Sequence, residues 1–124
     1  ATGRKQAEAL GLYLKKNNLL PNFVYSSMQK RTHETAALAL ATAGCTARVE
    51  RLSLFNEIDY GPDENQPESE VVKRLGKEAL AAWDESGIVP PGWRADPQAL
   101  MNMWLSFSVQ LLETKRNKTV LVVT

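Results

Sequence analysis

The chain closes on "TVLVVT", residues 119–124, an apolar and β-branched run with no polar residue between Val120 and Val123. A strand with one face in water alternates apolar and polar side chains, whereas an unbroken run is covered on both faces, as parallel strands usually are. Parallel neighbours cannot be joined by tight hairpins and need crossover connections, most often helices. This one segment therefore asks for a chain in which helices alternate with short buried strands.

The rest of the sequence supplies them. Ala7, Leu10 and Leu14 recur at helical spacing between Gly3 and Lys16, with Thr2 as a candidate N-cap and Lys15 and Lys16 at the end that favours cations. After "NNLLPN", the run "FVYSS" reads as a buried strand. Ser26 or Ser27 is then expected to cap an alanine-rich helix from about Met28 to Ala43, stopped by Gly44. "RVERLSL", residues 48–54, predicts a second strand, and "FNEIDYGPDENQP" a long loop. Val72, Leu75, Ala79 and Trp83 share one face of a third helix predicted over Glu68 to Glu85. Beyond the linker "SGIVPPGWRAD", Asp96 and Pro97 open a fourth helix with an apolar face of Leu100, Met103, Trp104, Phe107 and Leu111.

This alternation predicts an α/β fold, a three-layer α/β/α arrangement with a mostly parallel sheet. At 124 residues one domain is expected, residues 1–124. It supplies three strands where a sheet commonly has about four to six, so a further strand before residue 1 and more chain after Thr124 are expected. Ligands on such sheets bind at the carboxyl ends of the strands. Ser26 and Ser27, the loop carrying Glu57, and Thr124 should meet along that rim.

Fifteen basic residues against fourteen acidic ones leave no broad positive field for a nucleic acid or an anionic membrane, so an anionic ligand must be met by a local site. No apolar stretch approaches the roughly 18 residues of a membrane span. A lone Cys45 and the lack of a secretory pattern make a reducing cytoplasm the expected setting. Cys45 and the single His33 have no metal-ligand spacing, and no cofactor is called for.

Two residues of the second helix compete for attention. Successive helical residues turn about 100°, so Arg31 and His33 diverge by about 200° and cannot both face one small site. Arg31 lies one turn beyond Ser27, where a planar guanidinium could complete a phosphate cradle; the alternative is a solvated surface arginine. His33 has no nucleophile or orienting carboxylate at a catalytic spacing and reads as a surface or packing residue. Glu57 precedes a turn at Tyr60 and Gly61 and could give a proton to a leaving oxygen, although it and Asp59, Asp63 and Glu64 also read as a solvated acidic loop. Trp83, Trp93 and Trp104 read as core or pocket wall.

In order along the chain, these segments resemble the histidine phosphatase, or phosphoglycerate mutase-like, superfamily. Gly3, Gln6 and Ala7 of "ATGRKQAEALG" fit the end of a Leu-Thr-x-x-Gly-x-x-Gln-Ala pattern. "SSMQKRTHETA" resembles Ser-Ser-Pro-Leu-x-Arg-Ala-x-Gln-Thr-Ala through Ser26, Ser27, Arg31, Thr35 and Ala36, with Met28 for proline, Gln29 for leucine, Thr32 for alanine and Glu34 for glutamine. Leu54 to Gly61 resembles Leu-x-Glu-x-x-x-Gly with one extra residue, and "TVLVVT" resembles the strand that leads to a second active-site histidine.

The resemblance implies a phosphoglycerate mutase-like fold and phosphoryl transfer through a phosphohistidine, with a phosphorylated small molecule or phosphate as ligand. Arg31 would then bind phosphate with Ser26 and Ser27, and Glu57 would be the general acid or base. His33 falls on a variable position. The nucleophile, in an Arg-His-Gly motif, and the second histidine are expected outside these 124 residues. The segment from Pro62 to Asp96, which would shape substrate access, is short and favours a phosphomonoesterase over a mutase; a relative that binds phosphate without turnover is the remaining alternative.

Overall fold

The computed structural model describes residues 2–124. In chain order it contains α1 (Thr2–Lys16), β1 (Phe23–Ser26), α2 (Lys30–Ala43), β2 (Val49–Arg51), α3 (Glu68–Leu75), α4 (Lys77–Ser86), α5 (Pro97–Thr114) and β3 (Val120–Val123), with short 3-10 turns at Ser53–Phe55 and Gly61–Asp63. The strands form one sheet in the order β2-β1-β3, and β1 pairs in parallel with both neighbours. The architecture is α/β with a parallel sheet, as expected, but among the described residues the closing apolar run is an edge strand whose side chains are half-buried and not covered on both faces.

Two compact units make up the chain: one holds the residues up to Glu57 with Ser106–Thr124, the other Ile58–Leu105. The first contains the sheet. Val24 pairs with Val49 and Leu121 in the ladders and packs with Ala36 and Leu40 of α2. Side chains alternate across a strand, so the next residue, Tyr25, points to the other face. There its ring meets Phe107 of α5 edge-on at 5.2 Å and Phe55 at 6.2 Å. Helix α2 on one face and the end of α5 on the other give the three layers. Helix α1 packs closely on α2 because position 11 is glycine: a Cβ there would stand 2.3 Å from the Ala39 carbonyl oxygen.

The second unit is held by a side-chain cluster. Asp63, 7% exposed, accepts hydrogen bonds from Arg74 Nε at 2.7 Å and Trp93 Nε1 at 2.7 Å, and Arg74 Nη2 also bonds Asp63. Arg74 Nη2 donates as well to the Pro91 carbonyl at 2.8 Å, and Trp93 stacks edge-on against Tyr60 and Trp83. The reading of Asp63 as a solvated loop acid is corrected by this burial. The Arg74 hydrogen bond is the main influence holding its carboxyl below the usual carboxylate value, with Trp93 adding to it and burial opposing.

Several expected boundaries move. The third helix is two helices, because Gly76 takes an extended conformation at positive φ, 82°, between α3 and α4. The predicted strand at residues 48–54 is confined to Val49–Arg51, since Leu52 leaves the ladder into the turn at Ser53–Phe55. Thr2 is already helical and not the N-cap of α1. Helix α2 begins at Lys30, with Gln29 in the N-cap position making no side-chain capping bond, so neither serine caps it directly. At α5 the expectation holds: Asp96 Oδ1 accepts the Ala99 N–H at 3.0 Å.

Candidate functional site

Because all three strands run the same way, their carboxyl ends reach one edge, where Ser26 lies level with Arg51 and Val123. Backbone bonds continue past that edge: Leu52 N–H donates to the Ser26 carbonyl at 2.8 Å and Ser27 N–H to the Val123 carbonyl at 3.1 Å. The sheet therefore fixes the start of two connections, the β1–α2 turn and the segment after β2. These carry the residues singled out in the sequence.

Ser26 and Ser27 are almost fully buried, at 0% and 1% exposure. The Ser26 hydroxyl donates to the Ser27 carbonyl at 3.1 Å, and Ser27 Oγ lies 2.6 Å from Thr32 Oγ1 while accepting the Gln29 N–H at 3.3 Å. Both hydroxyls thus have partners within the turn. Arg31, in the first turn of α2, extends outward and meets Glu57, Nη2 to Oε2 at 2.5 Å, across 26 residues of sequence. Their side chains keep 60% and 42% of their exposure.

An exposed arginine–carboxylate pair contributes only roughly 0.2–1 kcal/mol in water, so a ligand can compete for either member. A guanidinium in this position can hold two oxygens of a tetrahedral anion, and a carboxyl beside it can pass a proton to an oxygen bound there. Arg31 also lines a cavity of about 510 Å³ with Gly3, Arg4, Thr35 and Leu38. Arg4, which had not been singled out, forms no ion pair with any described residue. Among the described residues no three His, Cys, Asp or Glu side chains gather as metal ligands.

The His33 side chain shares no hydrogen bond or ion pair with Arg31 or Glu57 among the described residues. It is half-buried, and its Nδ1 atom is enclosed with no hydrogen-bond partner among the described residues. Cys45 donates from Sγ to the Pro21 carbonyl at 3.4 Å. Gly61 serves packing, since a Cβ on it would meet the Gly92 carbonyl at 2.1 Å. Two residues beside the pair had given no sequence signal: Asn56, whose Oδ1 accepts the Met28 N–H at 2.9 Å, and Thr32. A polar residue flanking Glu57 within a turn is the one hint that could have marked Asn56.

The family model of the histidine phosphatase superfamily (branch 1) matches residues 1–124. The chain belongs to that superfamily. It is similar to the 2,3-bisphosphoglycerate-dependent phosphoglycerate mutase of Streptomyces avermitilis, 36% identical over 95 residues that make up 76% of this chain and 38% of the mutase. Its fold matches the mycobacterial glucosyl-3-phosphoglycerate phosphatase with a TM-score of 0.78 at 18% identity, covering 100% of this chain and 61% of that one. It also matches the alpha-ribazole phosphatase from Shigella flexneri with a TM-score of 0.71 at 23% identity, covering 100% of this chain and 59% of that one. The chain spans under two fifths of the length of the curated mutase it matches. No helix among the described residues is long and apolar enough to cross a membrane.

Proposed function

We propose that the full protein is a phosphoryl-transfer enzyme of this superfamily, a phosphomonoesterase whose substrate phosphoryl group is bound by Arg31. The observation that carries the reading is the exposed Arg31–Glu57 pair, 2.5 Å apart, on connections that leave the carboxyl edge of a parallel sheet. Arg31 offers parallel N–H donors to two phosphoryl oxygens and offsets the charge that spreads over them in the transition state. Glu57, displaced from Arg31 by the phosphate, is placed to protonate the departing oxygen and later to take a proton from the attacking water.

Ser26 and Ser27 serve through the turn they stiffen, since their hydroxyls are buried and bonded within it. The nucleophile is a histidine supplied by a part of the protein outside these 124 residues, forming a phosphohistidine that water hydrolyses. His33, the one histidine in the chain, shares no side-chain hydrogen bond with Arg31 or Glu57 and is not proposed for that role. The setting consistent with this chemistry is the cytoplasm, with no metal or other cofactor required.

Mutase activity is the second reading, supported by the sequence likeness to a phosphoglycerate mutase. Hydrolysis is favoured instead by the resemblance to the superfamily, in which a glycolytic mutase is expected to carry a larger insertion than the segment from Pro62 to Asp96. Incubation of the full protein with 3-phosphoglycerate separates the two: release of inorganic phosphate supports the phosphatase, and conversion to the 2-phospho isomer the mutase. Glu57→Gln should lower kcat on an alkyl phosphate by about 100-fold and cost much less on an aryl phosphate, whose leaving group needs little protonation. Equal, small losses on both esters would remove Glu57 from the reaction.

A further inference from the structure

We propose that Thr32 and Asn56 are positioning residues, which hold the β1–α2 turn and the Glu57 segment in the register that brings Arg31 to its anion. The proposal rests on the reading of Arg31 and Glu57 as the phosphate site, and it concerns neighbours of those residues that never touch the ligand. Each lies one position from a site residue: Thr32 follows Arg31, and Asn56 precedes Glu57.

Thr32 is 2% exposed, and its hydroxyl is the centre of the turn's hydrogen bonds. It donates to the Gln29 carbonyl at 2.9 Å and stands 2.6 Å from Ser27 Oγ, which in turn accepts the Gln29 N–H at 3.3 Å. One side chain therefore ties the end of β1 to the first turn of α2, across the three residues at which the chain changes direction. Buried hydroxyls bonded to one another admit few alternative arrangements, because any movement leaves one of them unpaired.

Asn56 provides the second tether. Its Oδ1 accepts the Met28 N–H at 2.9 Å, a bond spanning 28 residues of sequence that joins the β1–α2 turn to the segment after β2. A proline at position 28 would fix φ covalently but could not donate this bond. Alanine at position 32 would lack the hydroxyl. Methionine at position 28 and threonine at position 32 each supply a group that hydrogen-bonds in the turn. Two tethers thus restrain the turn by hydrogen bonding, from residues next in sequence to Arg31 and Glu57.

The test is the affinity of the full-length protein for inorganic phosphate, measured by titration calorimetry with its binding stoichiometry. Thr32→Val removes the hydroxyl at nearly constant shape and should weaken phosphate binding about three- to tenfold at unchanged stoichiometry. Thr32→Ser, which restores the hydroxyl, should stay within about twofold of the unmodified protein. Asn56→Ala, which removes an exposed acceptor and leaves the core untouched, should weaken binding about threefold and carries the test if Thr32→Val does not fold. The proposal is overturned if Thr32→Val or Asn56→Ala lowers stoichiometry while leaving affinity unchanged, since that is loss of folded protein. It is overturned too if Thr32→Ser binds as weakly as Thr32→Val. Arg31→Ala separates the two levels: if it abolishes binding while the tether variants bind normally, only the positioning role fails, and if it binds normally, the site reading fails with it.

Discussion

Each of the two compact units contains an arginine–carboxylate pair, and the surroundings of the two differ sharply. Arg74 and Asp63 retain 34% and 4% of their side-chain exposure, and the carboxylate is further bonded by Trp93 while the arginine is bonded to a carbonyl. Arg31 and Glu57 retain 60% and 42%, and each has solvent where the buried pair has protein. Removing one partner of a buried pair strands the other among groups that cannot solvate it, whereas an exposed pair can exchange partners at little cost. The same kind of pair thus fastens the unit of Ile58–Leu105 in one case and, on the proposed reading, leaves the sheet-containing unit open to an anion in the other.

Substitutions that treat the pairs alike should expose this difference. The largest expected effect on stability is that of Asp63→Ala, which should lower the Tm of the full protein by about 5–10 °C; Arg31→Ala should leave it within about 2 °C. Equal shifts would erase the distinction. Acid sharpens it further. The Arg74 hydrogen bond holds the Asp63 carboxyl below its ordinary value of 3.8, so the unfolded chain takes up the proton more readily than the folded one. The stabilisation is full above that ordinary value and is lost as pH falls through the lowered one. Thermal unfolding followed against pH should show a loss of stability in that window, and Asp63→Asn should flatten it. The smallest effect is expected at His33: kcat/KM of His33→Ala on an aryl phosphate should stay within about twofold, and a large loss would give the histidine a part in the site.

Much of this arrangement was legible in the sequence, and the pattern of what was missed is physical. β1 and β3 were visible because each is a β-branched or aromatic run, whereas β2, Val49–Arg51, carries one β-branched residue and is shorter than the strand expected at residues 48–54. Arg31 drew attention because helical periodicity separates it from His33, but the choice between them came from the resemblance to the superfamily. The break at Gly76 was not visible, since a single glycine inside a helical pattern is often tolerated and only its positive φ divides α3 from α4. Serine as a helix cap was a sound inference that other bonds within the same turn overrode: Ser27 engages Thr32, and the helix starts later. The clasp of Asp63, Arg74 and Trp93 joins residues 11 and 30 positions apart, and the Asn56 tether joins residues 28 apart. No local pattern of residue types encodes such pairings. The acidic loop consequently read as solvated, although one of its carboxylates is among the most enclosed charges among the described residues.

The central claim is that Arg31 is held for a ligand and Arg74 for the fold. It is tested most directly by kcat/KM of full-length Arg31→Ala on an aryl phosphate, with Tm measured on the same preparation. The account predicts a fall of about 100-fold or more with Tm essentially unchanged. Turnover retained at the unmodified level, or lost only in step with a lowered Tm, would contradict it.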